Sequence, residues 1–442
     1  MRVGIIGENS NKWIELLLKT WHDNNCLVII DWRNPIKTIR QMLRETNVEI
    51  CYIDNNIGIN LKQFQDLGIS FIYYKSSNEM FEIIDDNLRR SYIEKNDLSE
   101  AVIIYSSGTT KERKGIILTH KAINENVNSI NKSLNLISKG NILSVRSLNH
   151  SSALVGELLL SLKFGYNLII SKTIKHPKNI INAVLKYDIE YLFLNPTLLK
   201  MLSENIKKTN IAMSSLKRIY SSGAVITTNQ IEEAKSILQI PVLNMYGLTE
   251  AGPRVSIQTI EYCTDNSAGK VIENVQVKVI NNEGEELGPY SKGTVLVKTP
   301  SIFKGYVNDE NKYYGKWFDT KDIGYFNDKN ELFITGRKNE MIIKSGHNIN
   351  PFDIEYVLNL IEEIEECVVF SLPDKNNIEG EIIACEYVSN KELDRRQLLN
   401  HCRMYLKNYE IPDKLMKVKE IPKNTNGKIS RSRIKSKYID AG

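Results

Sequence analysis

Through its first 250 residues the chain alternates short apolar, β-branched runs with longer amphipathic stretches, and few folds accept that rhythm. The runs fall at 3–6 (VGII), 27–30 (LVII), 50–53 (ICYI), 101–104 (AVII), 116–118 (IIL), 142–145 (ILSV), 168–170 (LII), 191–194 (YLFL), 219–221 (IYS) and 242–245 (VLNM). Between them, Trp13, Leu16, Leu17 and Trp21, then Ile39, Met42 and Leu43, recur at helical spacing. Strand–helix–strand alternation of this kind implies a parallel sheet covered by helices. Gly4 and Gly7 hint at a dinucleotide fold, but no third glycine completes G-x-G-x-x-G, and a tight strand–helix turn explains them better. From 267 the texture changes. Val271, Val275, Val277 and Val279 alternate, an NNEG turn follows at 281–284, and short strand signals continue to 336, as in a small antiparallel sheet or barrel. Beyond Gly336 and Arg337 a compact α+β module begins. Asn350 is placed as an N-cap, with Pro351 at the first helical position and Asp353 in the first turn. The expected fold class is therefore α/β: a large N-terminal domain of layered α/β subdomains (1–337, with a small barrel-like β part at 267–336) and a small C-terminal α+β domain (338–442).

Composition narrows the function classes. A net charge of +5 over 442 residues is too mild to argue for nucleic acid. The basic residues thicken after 414, which reads first as a solvated face and second as a surface for a polyanion or an acidic partner. Six scattered cysteines without C-x-x-C point to reduced thiols and no zinc site. The N-terminal residues do not read as a signal peptide, and no apolar run is long enough to span a bilayer, so the expected location is the cytoplasm.

The chemistry concentrates in a loop at 105–115, YSSGTTKERKG, flanked by two strand signals. Ser106, Ser107, Thr109 and Thr110 offer hydroxyls, Gly108 frees backbone amides, and Lys114 adds a charge. Such a loop suits a polyphosphate, although it is not a Walker loop, and alone it reads equally as a polar hairpin. Three further polar clusters follow in order: YGLTE at 246–250, the stretch 317–355 (WFDTKDIG, then GRKNEMIIKSGHNINPFDIE), and IPKNTNGKISR at 421–431.

The order and spacing of the four clusters resemble the adenylate-forming superfamily: acyl- and aryl-CoA ligases, luciferases and peptide-synthetase adenylation domains. The resemblance covers nearly the whole chain. It implies an enzyme that joins a carboxylate to the α-phosphate of ATP, releases pyrophosphate, and passes the acyl group to the thiol of CoA or of a carrier-protein phosphopantetheine. It implies Mg²⁺ as a cofactor and a C-terminal domain that rotates between the two steps. Ser106, Ser107, Gly108, Thr109, Thr110 and Lys114 match the triphosphate loop. Tyr246 resembles the residue stacked on adenine, with Gly247 beside it; Thr249 would touch the α-phosphate and Glu250 would hold Mg²⁺. Asn244 would read the adenine edge, and Gly223 and Ala224 would form the opposite wall. Asp322 resembles the ribose-binding carboxylate, Arg337 a ribose or phosphate contact, Asn339 the hinge, and Lys428 the catalytic lysine. Residues 345–347 (SGH) would swing in beside the thiol tunnel.

For the acid, the matching segment is 147–154, from which His150 and Asn149, together with Ser222, are the candidate contacts. That segment has no carboxylate to pair an α-ammonium, which disfavours a free amino acid; Glu157, further along an apolar helix, is the residue that could rescue that alternative. A non-catalytic relative that only binds ATP or acyl-adenylate is the other alternative. The chain departs from the family pattern at Lys111 and Arg113, where Gly and Pro are usual, and at Lys321, where Thr-Gly-Asp is usual. It also starts at what resembles an internal family strand, so a trimmed N-terminal subdomain is expected.

Overall fold

The computed structural model describes all residues except 106–112, 137–139, 173–175, 225, 227, 310, 312, 375–379, 424–428 and 440–442. The strand–helix alternation is realised in two sheets. The first has seven strands, in the order Gly305–Tyr306, Gly115–Thr119, Glu100–Tyr105, Cys26–Ile30, Arg2–Ile6, Ile50–Asp54 and Ser70–Tyr74. From Glu100–Tyr105 to Ser70–Tyr74 the pairs are parallel. The second sheet has eight strands, in the order Lys270–Val271, Ser256–Ile257, Val242–Tyr246, Arg218–Ser222, Tyr191–Leu194, Asn141–Ser144, Asn167–Ser171 and Phe81–Ile83. Its central pairs, from Val242–Tyr246 to Asn167–Ser171, are parallel.

One core joins the two sheets. Val3, Ile5, Leu27 and Ile29 of the first pack with Ile142, Leu168, Tyr191 and Phe193 of the second, through Trp13, Leu17, Val127, Leu154 and Leu158 on the intervening helices. Helix Asn11–His22 starts where the side chain of Ser10 accepts from the Trp13 amide at 3.1 Å. It ends against the first sheet, where Trp21 Nε1 donates to the Ala101 carbonyl at 2.9 Å. Gly4 and Gly7 are packing glycines: a Cβ on Gly7 would fall 1.9 Å from the Tyr74 hydroxyl, and one on Gly4 2.9 Å from Cys51 Sγ. No dinucleotide turn is needed to explain them.

The helix expected after His150 is interrupted by π-helix: Leu154–Leu159 winds with i→i+5 bonds between two short α segments, Ser151–Ala153 and Leu160–Phe164. Such bulges cost regular hydrogen bonding and concentrate at functional sites. The β texture after 267 is distributed more widely than alternation suggests. Gln276–Ile280, Gly293–Lys298, Phe318–Phe326 and Leu332–Arg337 form a four-stranded antiparallel sheet. Lys270–Val271 belongs instead to the eight-stranded sheet, and Gly305–Tyr306 returns to the first sheet, where Gly305 pairs with Ile117 and Tyr306 with Ile116. Those two strands have two residues each, too short for a periodic signal.

After the turn Lys338–Glu340 come the hairpin Ile342–Lys344/His347–Ile349 and a three-stranded sheet of Ile364–Pro373, Glu381–Ser389 and Lys414–Lys417. Helices Pro351–Leu358, Arg395–Tyr405 and Arg431–Ile439 cover it. Asn350 caps the first of these, its Oδ1 accepting from the Phe352 amide at 3.3 Å. Its Nδ2 donates to the Thr335 carbonyl at 2.9 Å, across the junction with the preceding sheet.

Candidate active site

The segment 246–254 leaves the carboxyl end of a central strand of the eight-stranded sheet, where open α/β sheets hold ligands. Its shape requires Gly247: a Cβ there would lie 1.8 Å from the Pro253 carbonyl oxygen, because the chain folds back on itself. Thr249–Ala251 makes a single 3-10 turn, closed by Gly252 at φ +100°. Thr249 Oγ1 and Ser151 Oγ are hydrogen-bonded at 2.8 Å. Glu250 is half-buried; its carbonyl accepts from the Phe303 amide at 2.8 Å, and its Oε1 accepts from the Tyr306 hydroxyl at 3.1 Å. Tyr306 reaches Glu250 because its short strand pairs beside Gly115–Thr119, and Lys114 Nζ lies 4.8 Å from the centre of its ring. Burial and then the Glu250 charge push the Tyr306 hydroxyl well above its usual range, so it stays a donor. The exit of the 105–115 loop and the YGLTE turn are thereby in one place.

Asp322 is 2 % exposed and sits on the strand Phe318–Phe326. Its Oδ2 accepts from the Tyr246 hydroxyl at 2.5 Å, and its Oδ1 from Arg337 Nε at 2.8 Å. The pairing Asp322↔Arg337 in the small sheet fixes the second contact. An ionised carboxylate has about four acceptor positions, so two remain for a ligand's hydroxyls. The preceding Lys321 has φ +64°, the left-handed region, held by its amide to Asp319 Oδ1 at 2.8 Å. This is why glycine is usual there. Just after the strand Arg218–Ser222, which pairs with Val242–Tyr246, Gly223 has φ +97° and nothing within 4 Å of where a Cβ would stand, so it borders open space; Ala224, next to it, is half-buried. Asn244 donates through Nδ2 to the Ser267 carbonyl at 3.0 Å, so that amide group is already engaged.

Asn149 is 7 % exposed, and its Nδ2 has no hydrogen-bond partner among the described residues. His150 N-caps the helix that carries Ser151 and lies near Asp31, whose carboxyl is buried, which raises its pKa, yet is held below the ordinary range by Arg33. Ser222, at the end of its strand, accepts from Arg146 Nη1 at 2.8 Å. Glu157 is fully buried and paired to Arg146, with Arg146 Nε at 3.1 Å from Oε1. Its charge is therefore matched by a protein cation, which removes it as the ready partner for a substrate ammonium.

Arg113 bonds Asn34 through its guanidinium, on the loop after Cys26–Ile30. Ser106, Ser107, Gly108, Thr109, Thr110 and Lys111, and Lys428, lie outside the described residues. Asn339 is exposed in the turn Lys338–Glu340. On one side of it Arg337 is tied to Asp322; on the other, Glu340 is tied to Arg431 of the last helix at 2.8 Å. In the nearby hairpin Ser345 and Gly346 make the turn at positive φ, and His347 stacks on Tyr409 at 4.1 Å. Ser151, Arg146, Arg254 and Tyr306 were not assigned from sequence. Arg254, immediately after YGLTEAGP, and Ser151, within the segment 147–154, carried a positional signal.

The AMP-binding enzyme family matches residues 1–307, and the AMP-binding enzyme C-terminal domain matches 353–428. A 2-succinylbenzoate–CoA ligase of Bacillus subtilis (strain 168) is 26% identical over 397 residues, which cover 85% of this chain and 79% of the relative. A long-chain-fatty-acid–CoA ligase of Haemophilus influenzae is 26% identical, covering 99% of this chain and 82% of the relative. The fold is also that of the solved O-succinylbenzoate Coenzyme A synthetase of Bacillus subtilis in complex with ATP and magnesium ion, with a TM-score of 0.82 at 21% identity, over 98% of this chain and 89% of that one. The chain belongs to the AMP-binding enzyme family.

Proposed function

We propose that the chain is an AMP-forming acid–thiol ligase: it joins a carboxylic acid to AMP from ATP and passes the acyl group to the thiol of CoA. The observation that carries this is the convergence, beyond the carboxyl end of the strand Val242–Tyr246, of Thr249, Glu250 and the Tyr246–Asp322–Arg337 chain, in a chain matched by the family over both its parts. Two anions must meet for the first step, so the site's work is positioning and neutralisation. Asp322 takes the ribose hydroxyls, Tyr246 lies along the adenine with Gly223 and Ala224 opposite, and Thr249 contacts the α-phosphate. The hydroxyls of 106–110, with Lys114, cradle the β- and γ-phosphates. Lys428 reaches the reacting carboxylate and phosphorus, and Asn149, His150 and Ser222 border the acid.

The donor set fits Mg²⁺. Among the described residues no cluster of three or more His, Cys, Asp or Glu could cage a metal. The single carboxylate of Glu250 suits an ion that keeps most of its water and binds phosphate oxygens. Glu250 would hold the ion, which would neutralise polyphosphate charge, and Tyr306 donates a hydrogen bond to Glu250 that positions it. The residues 1–337 and 338–442 act as two units hinged at Asn339, and an acyl carrier protein could replace CoA as acceptor. Among the described residues no helix is long and apolar enough to cross a membrane, in keeping with work in the cytoplasm.

The test is acid-dependent ATP–pyrophosphate exchange with a panel of aliphatic and aryl acids, followed by thioester formation with CoA. Lys428→Ala should lower exchange by at least about 100-fold while ATP binding, read by calorimetry, is kept. Exchange at the wild-type rate in that variant would remove Lys428 from the mechanism. Absence of exchange with every acid, with ATP still bound, would leave a binding module and not a ligase.

A further inference from the structure

Behind Thr249 the fold buries more positive than negative charge. Arg254 is 3 % exposed, and its backbone is clamped by one side chain: its amide donates to Asn126 Oδ1 and its carbonyl accepts from Asn126 Nδ2, both at 3.0 Å. The guanidinium lies against the π-helical turn, where a Cβ on Gly156 would stand 3.4 Å from Nη2, and that nitrogen has no hydrogen-bond partner among the described residues. Arg146 and Glu157 are close enough to act on it electrostatically. Burial first, then the Arg146 charge, push the Arg254 guanidinium down to about 9, with Glu157 acting the other way. Glu157 is already bonded to Arg146, although its Oε2 too lacks a partner among the described residues. Two guanidinium ions and one carboxylate leave this buried group one positive charge in excess.

The cluster adjoins the site. Arg254 stands on the segment that carries Thr249 and Glu250, and both ends of that segment touch the same helix. Thr249 meets it at Ser151, and Arg254 meets it at Gly156. Five residues along such a helix cover roughly 6–8 Å, the span between the two carboxylates of a short dicarboxylic acid. A buried cation with an open donor is costly unless an anion pairs with it.

We propose that the acid activated here carries a second carboxylate, bound in the site by Arg254, while its first carboxylate reacts beside Thr249. The proposal rests on the ligase reading and adds the substrate's chemical class. Gly156 leaves room for the guanidinium, Asn126 fixes its root, and Arg146 neutralises Glu157 so that it does not repel the incoming anion. Recognition is at the far end of the substrate from the bond being made, so Arg254 sets specificity and takes no part in the chemistry.

The experiment measures ATP–pyrophosphate exchange by the full chain with three matched sets: straight dicarboxylic acids of increasing length, their half-amides, and monocarboxylic acids of equal length. The best diacid should exceed its half-amide and its monoacid in kcat/KM by at least about tenfold, the factor expected for one charge-assisted hydrogen bond. Arg254→Met should erase that preference, mainly by raising KM for the diacid. Half-amides or monoacids equal to or better than diacids in the wild-type enzyme would overturn the proposal and leave the ligase reading standing. This comparison decides the matter even where Arg254→Met fails to fold. Exchange with no acid of any class would overturn the ligase reading, and this proposal with it.

Discussion

Position 321 shows how a single side chain can sit against its own backbone. Lys321 occupies the left-handed region at φ +64°, where an L side chain is strained by about 1–2 kcal/mol, and an exposed pair with Asp319 returns little of it. Lys321→Gly relieves the strain but adds freedom to the unfolded chain. The expected net is a stabilisation of roughly 0.5 kcal/mol, read as a higher urea midpoint at constant m-value. The sequence marked this position as unusual, but the reason is a dihedral angle that only the structure supplies. Tyr246, Thr249, Glu250, Asp322 and Arg337 were legible because each lies in an ordered motif of distinctive residue types. Tyr306, Arg146 and Arg254 were not. Tyr306 meets Glu250 through a pairing with a strand far back in the chain, and Arg146, Arg254 and Glu157 come together from three separate stretches of the chain.

At the scale of elements, the last helix is joined to the rest of the C-terminal part by Arg431. Its guanidinium bonds Glu340 at 2.8 Å and Glu355 at 2.5 Å, and Glu355 Oε1 also accepts from the Val369 amide at 2.7 Å. Burial raises the Glu355 pKa above the ordinary 4.5, against the pull of Arg431 and the Val369 amide. Between the ordinary and the raised value the folded chain binds more protons than the unfolded one, so this group's contribution to stability falls as pH rises through that window. Glu355→Gln removes the titration. The stability of the variant relative to wild type should climb from pH 4.5 upward and then level off, by about 1.4 kcal/mol for each unit of pKa elevation. A flat difference in urea midpoints across pH 4–8 would refute the direction of the shift. The elements themselves were well marked in the sequence where they ran to several residues with one period. The π-helix was not, because a buried run of Leu, Val and Gly with one Glu carries no signal of its winding.

At the scale of the molecule, the two units we propose would meet at Lys338–Glu340, a turn with Arg337 bonded toward Asp322 and Glu340 toward Arg431. Asn339→Pro fixes one φ and disfavours helical geometry at Lys338. If the ligase alternates between two domain arrangements, this variant should retain acid-dependent exchange while thioester formation falls at least about tenfold, a pattern expected when a hinge gates one step. Equal losses in both steps would argue against a hinge at Asn339.

The two-residue strand Gly305–Tyr306 also has a consequence for how the protein is born. It covers the outer edge of Gly115–Thr119, a strand of Ile116, Ile117 and Leu118 that would otherwise present open backbone groups and apolar side chains. On a ribosome, the stretch between the two strands takes roughly 10–40 s to synthesise at 5–20 residues per second. For that interval the nascent chain carries a bare, adhesive sheet margin. A transcript cut short before codon 305 would thus yield a polypeptide prone to stick to its neighbours, and the cell's holding chaperones are the natural guardians of that margin until Tyr306 arrives to close it.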